Sequence, residues 1–232
     1  MEYAATPGIP GSVSVDLQGF LQKVFGWMFA GLVVTALAAL AIGSDESLLT
    51  SVTENPLILI GVFVLQLGLV VALTAMSNRL SVPVAAALFF VYAALNGVIF
   101  AFVFELYTSE SIFTTFLITA GMFGALAVFG YTTKRDLSGL GSILFMALIG
   151  LILASIVNLW VGGTVLYWIT TYAGVLIFAG LTAYDMQKLK NLGSAGLGEE
   201  AESKAAVQGA LALYLDFINL FLFLLRIFGQ RR

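Results

Sequence analysis

Two aspartates are the residues best placed to do chemistry: Asp185, in LTAYDMQKLK, and Asp216, in LYLDFINLFLFLLRIFG. Each stands in or at the end of a long apolar run. An ionised carboxylate there is costly unless it faces the protein interior, water or a partner. If the last run is a helix, Asn219 lies about 60° around its axis from Asp216 and Arg226 about 80°. One side of that helix is then polar along its length and calls for neighbours that cover it. Asp185 falls a few residues before the end of the preceding run, and Asp216 some turns into the last one. At about 1.5 Å per residue the two depths can match. Two carboxylates within hydrogen-bond reach do not readily both ionise, so they hold one proton between them and titrate as a pair. The chain has no histidine, the usual near-neutral titrating side chain. A carboxyl pair is how such a chain could sense pH near neutrality.

Plainer readings stand beside these. Asp185 could pair with Lys188 at helical spacing, and Asp216 could make a structural bond across helices. Arg79, in TAMSNRLS, could be an interfacial anchor or a gate. Arg226 could extend to an interface. Gln66, Asn96 and Asn158 read as polar glue between helices, and Gly26/Ala30 and Gly121/Gly124 as packing positions.

What is absent narrows the chemistry. With no Cys and no His, thiol nucleophiles, thiolate metal sites, the Ser-His-Asp triad, HExxH zinc and His-ligated haem are excluded. An aspartyl pair can be catalytic, but nothing here positions a substrate, so an enzyme is not expected. No EF-hand loop is present, no cofactor is expected, and the last run has no central lysine for a retinal Schiff base. The formal net charge of −3 points away from a nucleic-acid partner.

These residues must be positioned by membrane spans. Hydrophobic residues make up 60% of the 232 and charged residues 10%, against about 45–50% and about 25% in soluble domains. So much apolar surface must face lipid. A bilayer core needs roughly 20 apolar helical residues. Six clear runs meet that, at about 22–43, 56–77, 83–106, 112–132, 139–161 and 164–187. A seventh, 208–228, is interrupted by Asp216, Asn219 and Arg226. The expected fold is an all-α, seven-transmembrane helix bundle with the C-terminal helix central. Residues 1–20 read as a mobile tail broken by Pro7, Gly8, Pro10 and Gly11, with no cleavable signal. Residues 21–232 form one domain, with 191–206 a flexible cytoplasmic linker.

Lys23, Arg79, Lys134, Arg135, Lys188, Lys190 and Lys204 fall on one side of this topology. Asp45, Glu46, Glu54, Glu105 and Glu110 fall on the other. The positive-inside bias puts the N-terminus and the basic loops in the cytoplasm. Full spanning by the seventh run would carry Arg231 and Arg232 outside, against that bias. The earlier spans dominate, so full spanning is favoured over a re-entrant segment. The short tail and first span favour a bacterial inner membrane.

AYDMQKLK, the linker and LYLDFINLFLFLLRIFG together resemble the Bax inhibitor-one family. LQKVFGWMFAGLVVTAL resembles the first span of its bacterial members, and NPLILIGVFVLQLGLVVAL with a Ser/Arg-containing end resembles their second. The resemblance covers the chain after the tail. It implies a seven-helix bundle with the last helix enclosed by the other six, and a pH-sensitive calcium leak. It makes Asp185 and Asp216 the paired aspartates, which are also the candidates to hold calcium transiently. Arg79 matches the arginine of span two that can latch onto the pair, with Asn219 and Arg226 as supporting polar residues. The linker here is long and Gly/Glu-rich, and span two offers no carboxylate.

The implied partners are calcium ions, protons and the bilayer; protein partners are not named by the sequence. Neutralising the pair would weaken a charge-assisted bond to Arg79 and let span two swing away. Two other classes remain open. One is a proton-coupled transporter of a small solute, which paired broken helices would favour. The other is a regulatory membrane protein acting through partners, for which the acidic linker is the only support.

Overall fold

The computed structural model describes residues 16–76 and 79–232, apart from the side chain of residue 53. Among the described residues eight helices follow one another: α1 (Leu17–Gly43), α2 (Glu46–Glu54), α3 (Pro56–Ala75), α4 (Val82–Leu106), α5 (Ser109–Thr132), α6 (Ser138–Val161), α7 (Thr164–Gly193) and α8 (Glu199–Phe228). All but α2 are long and apolar enough to cross a membrane. The chain is an all-α membrane bundle. Its outer surface is aliphatic and aromatic, with Leu57, Leu159 and Trp160 standing out from it.

The helix ends follow local chemistry. The Asp16 carboxylate accepts from the Gly19 N–H at 2.8 Å and starts α1. Asp45 caps α2, and Asn55 followed by Pro56 starts α3. These side chains satisfy amide groups that a helix start leaves open. Gly162, at φ 63°, ends α6 in the left-handed region that favours glycine.

Several boundaries differ from the sequence expectation. The tail stops short of residue 20, because Leu17 and Phe20 are helical and meet Gly193 of α7. The remainder of the predicted tail, 1–15, lies outside the described residues. The loop after span one contains the unforeseen helix α2, whose first-turn Glu46 and Asp45 cap favour it locally. The linker shrinks from 191–206 to residues 194–198. Glu199, Glu200 and Glu202 complement the positive start of α8. Lys204 then bridges Glu200 at 3.0 Å, and Lys23 of α1 bridges Glu202 at 2.7 Å.

The C-terminal helix is central, but α1, α4, α5 and α7 form its principal wall. α6 leans on α7 from outside, and α3 leans on α4, so four helices rather than six enclose it. Its ends lie at opposite ends of the bundle. Glu202 meets Lys23 near the start of α1. Beyond the other end, Gln230 O accepts from Thr108 N–H at 3.0 Å, and Arg232 N–H donates to Leu106 O at 3.1 Å. The seventh span is therefore complete rather than re-entrant.

Close helix approach uses glycines that pattern reading did not single out. A Cβ at Gly97 would stand 2.9 Å from the Thr35 carbonyl oxygen of α1. One at Gly130 would stand 2.9 Å from the Ala183 carbonyl carbon of α7. Gly26, Gly121 and Gly124 instead face open space, which corrects their reading as packing positions. Spacing alone does not say which face of a helix is turned inward.

Candidate buried carboxyl site

Asp216 lies on the α8 stripe that also carries Gly209 and Phe223, at seven-residue spacing. Gly209 receives Leu189 of α7, and Phe223 packs on Gly174 and stacks with Phe178 at 5.9 Å. Between these apolar layers the carboxyls of Asp216 and Asp185 are neighbours, close enough for each to act on the other's charge. Asp216 is only 3% exposed, whereas Asp185 is half-buried. The Oδ2 atom of Asp216 is buried and meets no donor among the described residues. Carboxylates only accept hydrogen bonds, so a bond between two of them requires a proton on one. The site is thus a pair of neighbouring carboxyls, one deeply buried and one half-buried, between the Phe178–Phe223 layer and the Leu189–Gly209 layer.

Lys188 is exposed and forms no ion pair among the described residues; the ion pairs there are Lys23–Glu202 and Lys204–Glu200. Asp185 thus forms no direct ion pair with Lys188, although the Lys188 charge still acts on it alongside its carboxyl neighbour Asp216. Asn219 is half-buried and donates to its own helix at Leu215 O, 2.8 Å away, so it flanks the pair without bonding it. Arg226 is exposed at the far end of α8, over the rings of Phe223 (5.0 Å) and Tyr167 (5.7 Å). Arg79 is exposed in the turn after α3 and makes no ion pair among the described residues. Its N–H donates to Met76 O at 2.8 Å. No three acidic side chains cluster among the described residues. A divalent cation at this site would meet two carboxylates at most.

Among the described residues, Gln66, Asn96 and Asn158 make no hydrogen bond from one helix to another. Asn96 donates to Tyr92 O of its own helix at 3.1 Å. Asn158 accepts from Gly163 N–H at 3.1 Å and closes the end of α6. The Gln66 amide nitrogen is buried without a partner among the described residues. Their role in cross-linking is taken by hydroxyls. Thr35 Oγ1 and Tyr214 OH are 2.6 Å apart, and Thr35 Oγ1 is 2.8 Å from Ala93 O. That node ties α1, α4 and α8 together two residues before Asp216, and Phe89 meets the Tyr214 ring edge-on at 5.6 Å. The signal for it was present: Thr35 is the lone hydroxyl between residues 24 and 42.

The end of α7 nearest the pair is anchored to the α5–α6 turn. Gln187 accepts from Leu137 N–H and donates to Arg135 O, both at 2.8 Å. Lys190 donates to Tyr131 O at 2.8 Å. In that turn the Ser138 backbone N–H bonds Asp136 at 2.9 Å and, with the Ser138 side chain, holds its carboxyl below the ordinary 3.8.

The family model described as Inhibitor of apoptosis-promoting Bax1 matches residues 17–232. The chain is 50% identical over 218 residues to the inner membrane protein YbhL of Escherichia coli, covering 93% of both chains. It is 43% identical to an uncharacterized protein of Borreliella burgdorferi, covering 92% of both. It is 37% identical to an uncharacterized membrane protein of Streptococcus pyogenes, covering 93% of this chain and 94% of that one.

Proposed function

The chain belongs to the Bax inhibitor-one family, and on that premise we propose that it is a pH-sensitive calcium leak channel, gated by the Asp185–Asp216 pair and an Arg79 latch. It is an integral membrane protein; its proposed place is a bacterial inner membrane with the N-terminus cytoplasmic. The observation that carries the reading is the juxtaposition of the Asp185 and Asp216 carboxyls between α7 and α8, with Asp216 deeply buried. An intramembrane carboxyl pair is expensive to keep and marks function by default.

When the pair loses its proton, it gains the charge that attracts the Arg79 guanidinium from the turn after α3, and α3 is held against the bundle. When the pair is protonated, the charge-assisted bond loses most of its strength, and α3 is released. Two observations support this reading: the carboxyls of Asp185 and Asp216 are neighbours, and Arg79 is exposed with no ion pair among the described residues. α3 also packs chiefly on α4, at the edge of the bundle, where it can move without disturbing α8. Calcium is the substrate, drawn to carboxylate and carbonyl oxygens but held weakly, since tight binding would stop flow. No catalytic role is assigned to the pair.

The test is calcium entry into dye-loaded proteoliposomes across a pH series, with the parent, Asp216→Asn and Arg79→Ala compared. Flux that rises with acid in the parent, loses its pH dependence in Asp216→Asn and is constitutive in Arg79→Ala is the expected pattern. Flux equal to protein-free vesicles at every pH overturns the reading and favours proton-coupled transport of another solute.

A further inference from the structure

α1 and α5 both pack on α8 but leave a cleft between them. It has a volume of about 380 Å³, within the range of small-molecule sites. Phe217, Ile218 and Phe221 of α8 form its floor with Phe100 and Phe104 of α4, and Leu40 and Phe113 stand exposed at its sides. Its walls are apolar, so they cannot replace the hydration shell of a cation. The cleft is not a vestibule for ions. It opens sideways onto the surface that faces the bilayer, and the helical stretch Leu32 to Leu40 along it is about 12 Å long.

Apart from Thr35, whose hydroxyl is already bonded to Ala93 O and Tyr214, the polar groups of the cleft are concentrated at one end. Arg232 and Ser109 stand at its rim on the side of the α4–α5 turn, and the Arg232 guanidinium lies 3.5 Å from Ser109 Oγ. The backbone holds the arginine there. Arg232 N–H donates to Leu106 O, Gln230 O accepts from Thr108 N–H, and Gln230 N–H donates to Ser111 Oγ at 3.0 Å. Arg232 makes no ion pair with Glu105, Glu110 or any other described acid. A cation fixed at the rim of a lipid-facing apolar cleft complements one kind of molecule. We infer that this cleft is a binding site for an anionic amphiphile, its acyl chain between α1 and α5 and its phosphate or carboxylate headgroup on Arg232 and Ser109. The floor residues Phe217 and Ile218 directly follow Asp216, so the bound chain lies against the turn of α8 that carries the aspartate.

The inference is tested without any flux measurement. Full-length protein in nanodiscs is photolabelled with two probes carrying a diazirine in the chain, a fatty acid and a phosphatidylglycerol, and the adducts are mapped by mass spectrometry. Adducts concentrated on residues 32–40 and 112–116 are expected. An anionic competitor should remove them, and a phosphatidylcholine of equal chain length should not. Arg232→Gln should reduce labelling about five-fold, the factor one interfacial arginine contributes toward an anionic headgroup. Arg232 is exposed, so this variant keeps the fold; Ala36→Trp, which fills the cleft, should abolish labelling. Which of the two probes labels more strongly identifies free fatty acid or phospholipid as the source. Adducts spread evenly over all lipid-facing helices, or equal competition by phosphatidylcholine, would overturn the inference.

Discussion

Asp216 and Asp185 each bring oxygen acceptors and no permanent donor, so in the proposed gate they can bond each other only while a proton lies between them. An asparagine changes that rule without changing shape. In Asp216→Asn the amide N–H donates to Asp185 at any pH, and the pair can no longer gain or lose its shared proton. The variant should fold, and its flux should stay near the acid level of the parent, so that the ratio of acid to neutral flux falls towards one in proteoliposomes. Asp185→Asn should do the same, because the titration belongs to the pair. A pH profile unchanged in both variants would remove the pair from gating. Tyr214 acts on a different property. Its hydroxyl bonds Thr35 at 2.6 Å, and Tyr214→Phe removes that link while Thr35 keeps a carbonyl acceptor at Ala93. The expected loss is about 1 kcal/mol, typical of a hydrogen bond between membrane helices, read by unfolding in mixed detergent micelles. Its effect on the pH midpoint of flux should be small beside that of the aspartate variants.

At the scale of helices, Gly130 and Gly121 lie on one helix and should respond oppositely to a methyl group. Gly130→Ala forces a Cβ against the Ala183 backbone, and overpacking of that kind costs about 1–3 kcal/mol. Gly121→Ala points into open space and should be neutral or stabilising by up to about 1 kcal/mol through helix propensity. The same unfolding assay decides both. The α5–α6 turn adds a pH effect whose sign follows from Asp136. Its carboxyl is held below the ordinary 3.8 by the bonds to Ser138. Its stabilisation is therefore complete above that ordinary value and is lost as pH falls through the lowered one. Asp136→Asn should lower thermal stability slightly at neutral pH and lose less as pH falls from about 4 to about 2. These contrasts also mark what was legible beforehand. Seven spans and the Asp185–Asp216 pairing follow from apolar run length and from the cost of a carboxylate in lipid, both local properties. The inward-facing glycines, the Thr35–Tyr214 node and the self-bonding of Asn96 do not. Each depends on how a helix is rotated, and helices apolar on all sides carry no periodic signal for that rotation. The linker was read too long because glycine and glutamate suggest a loop, whereas three glutamates at a helix start favour the helix.

Across the whole molecule, the direction from which the pair receives its proton depends on which end faces the cytoplasm. Seven of the ten basic residues, Lys23 to Lys204, belong to the end where α7 gives way to α8, and Arg226, Arg231 and Arg232 belong to the other. That bias supports the proposed orientation, with the α7–α8 turn in the cytoplasm. Asp185 is the half-buried member of the pair, eight residues before the last residue of α7, so protons should reach the pair from that side. Because the chain has no cysteine, single cysteines report on topology without background. With a membrane-impermeant maleimide on intact cells, Ser47→Cys and Gln230→Cys should label, and Ala195→Cys should label only after permeabilisation; all three positions are exposed. Labelling of Gln230→Cys in step with Ala195→Cys would mean that α8 turns back, against the bonds from residues 230 and 232 to the α4–α5 turn. Exchange of all three patterns would invert the bundle and put the proton source outside the cell. In vesicles of known orientation, acid on the α7–α8 side should then raise calcium flux at a fixed pH on the opposite side. The reverse gradient should leave it low, because the Phe178–Phe223 stack separates the pair from that end.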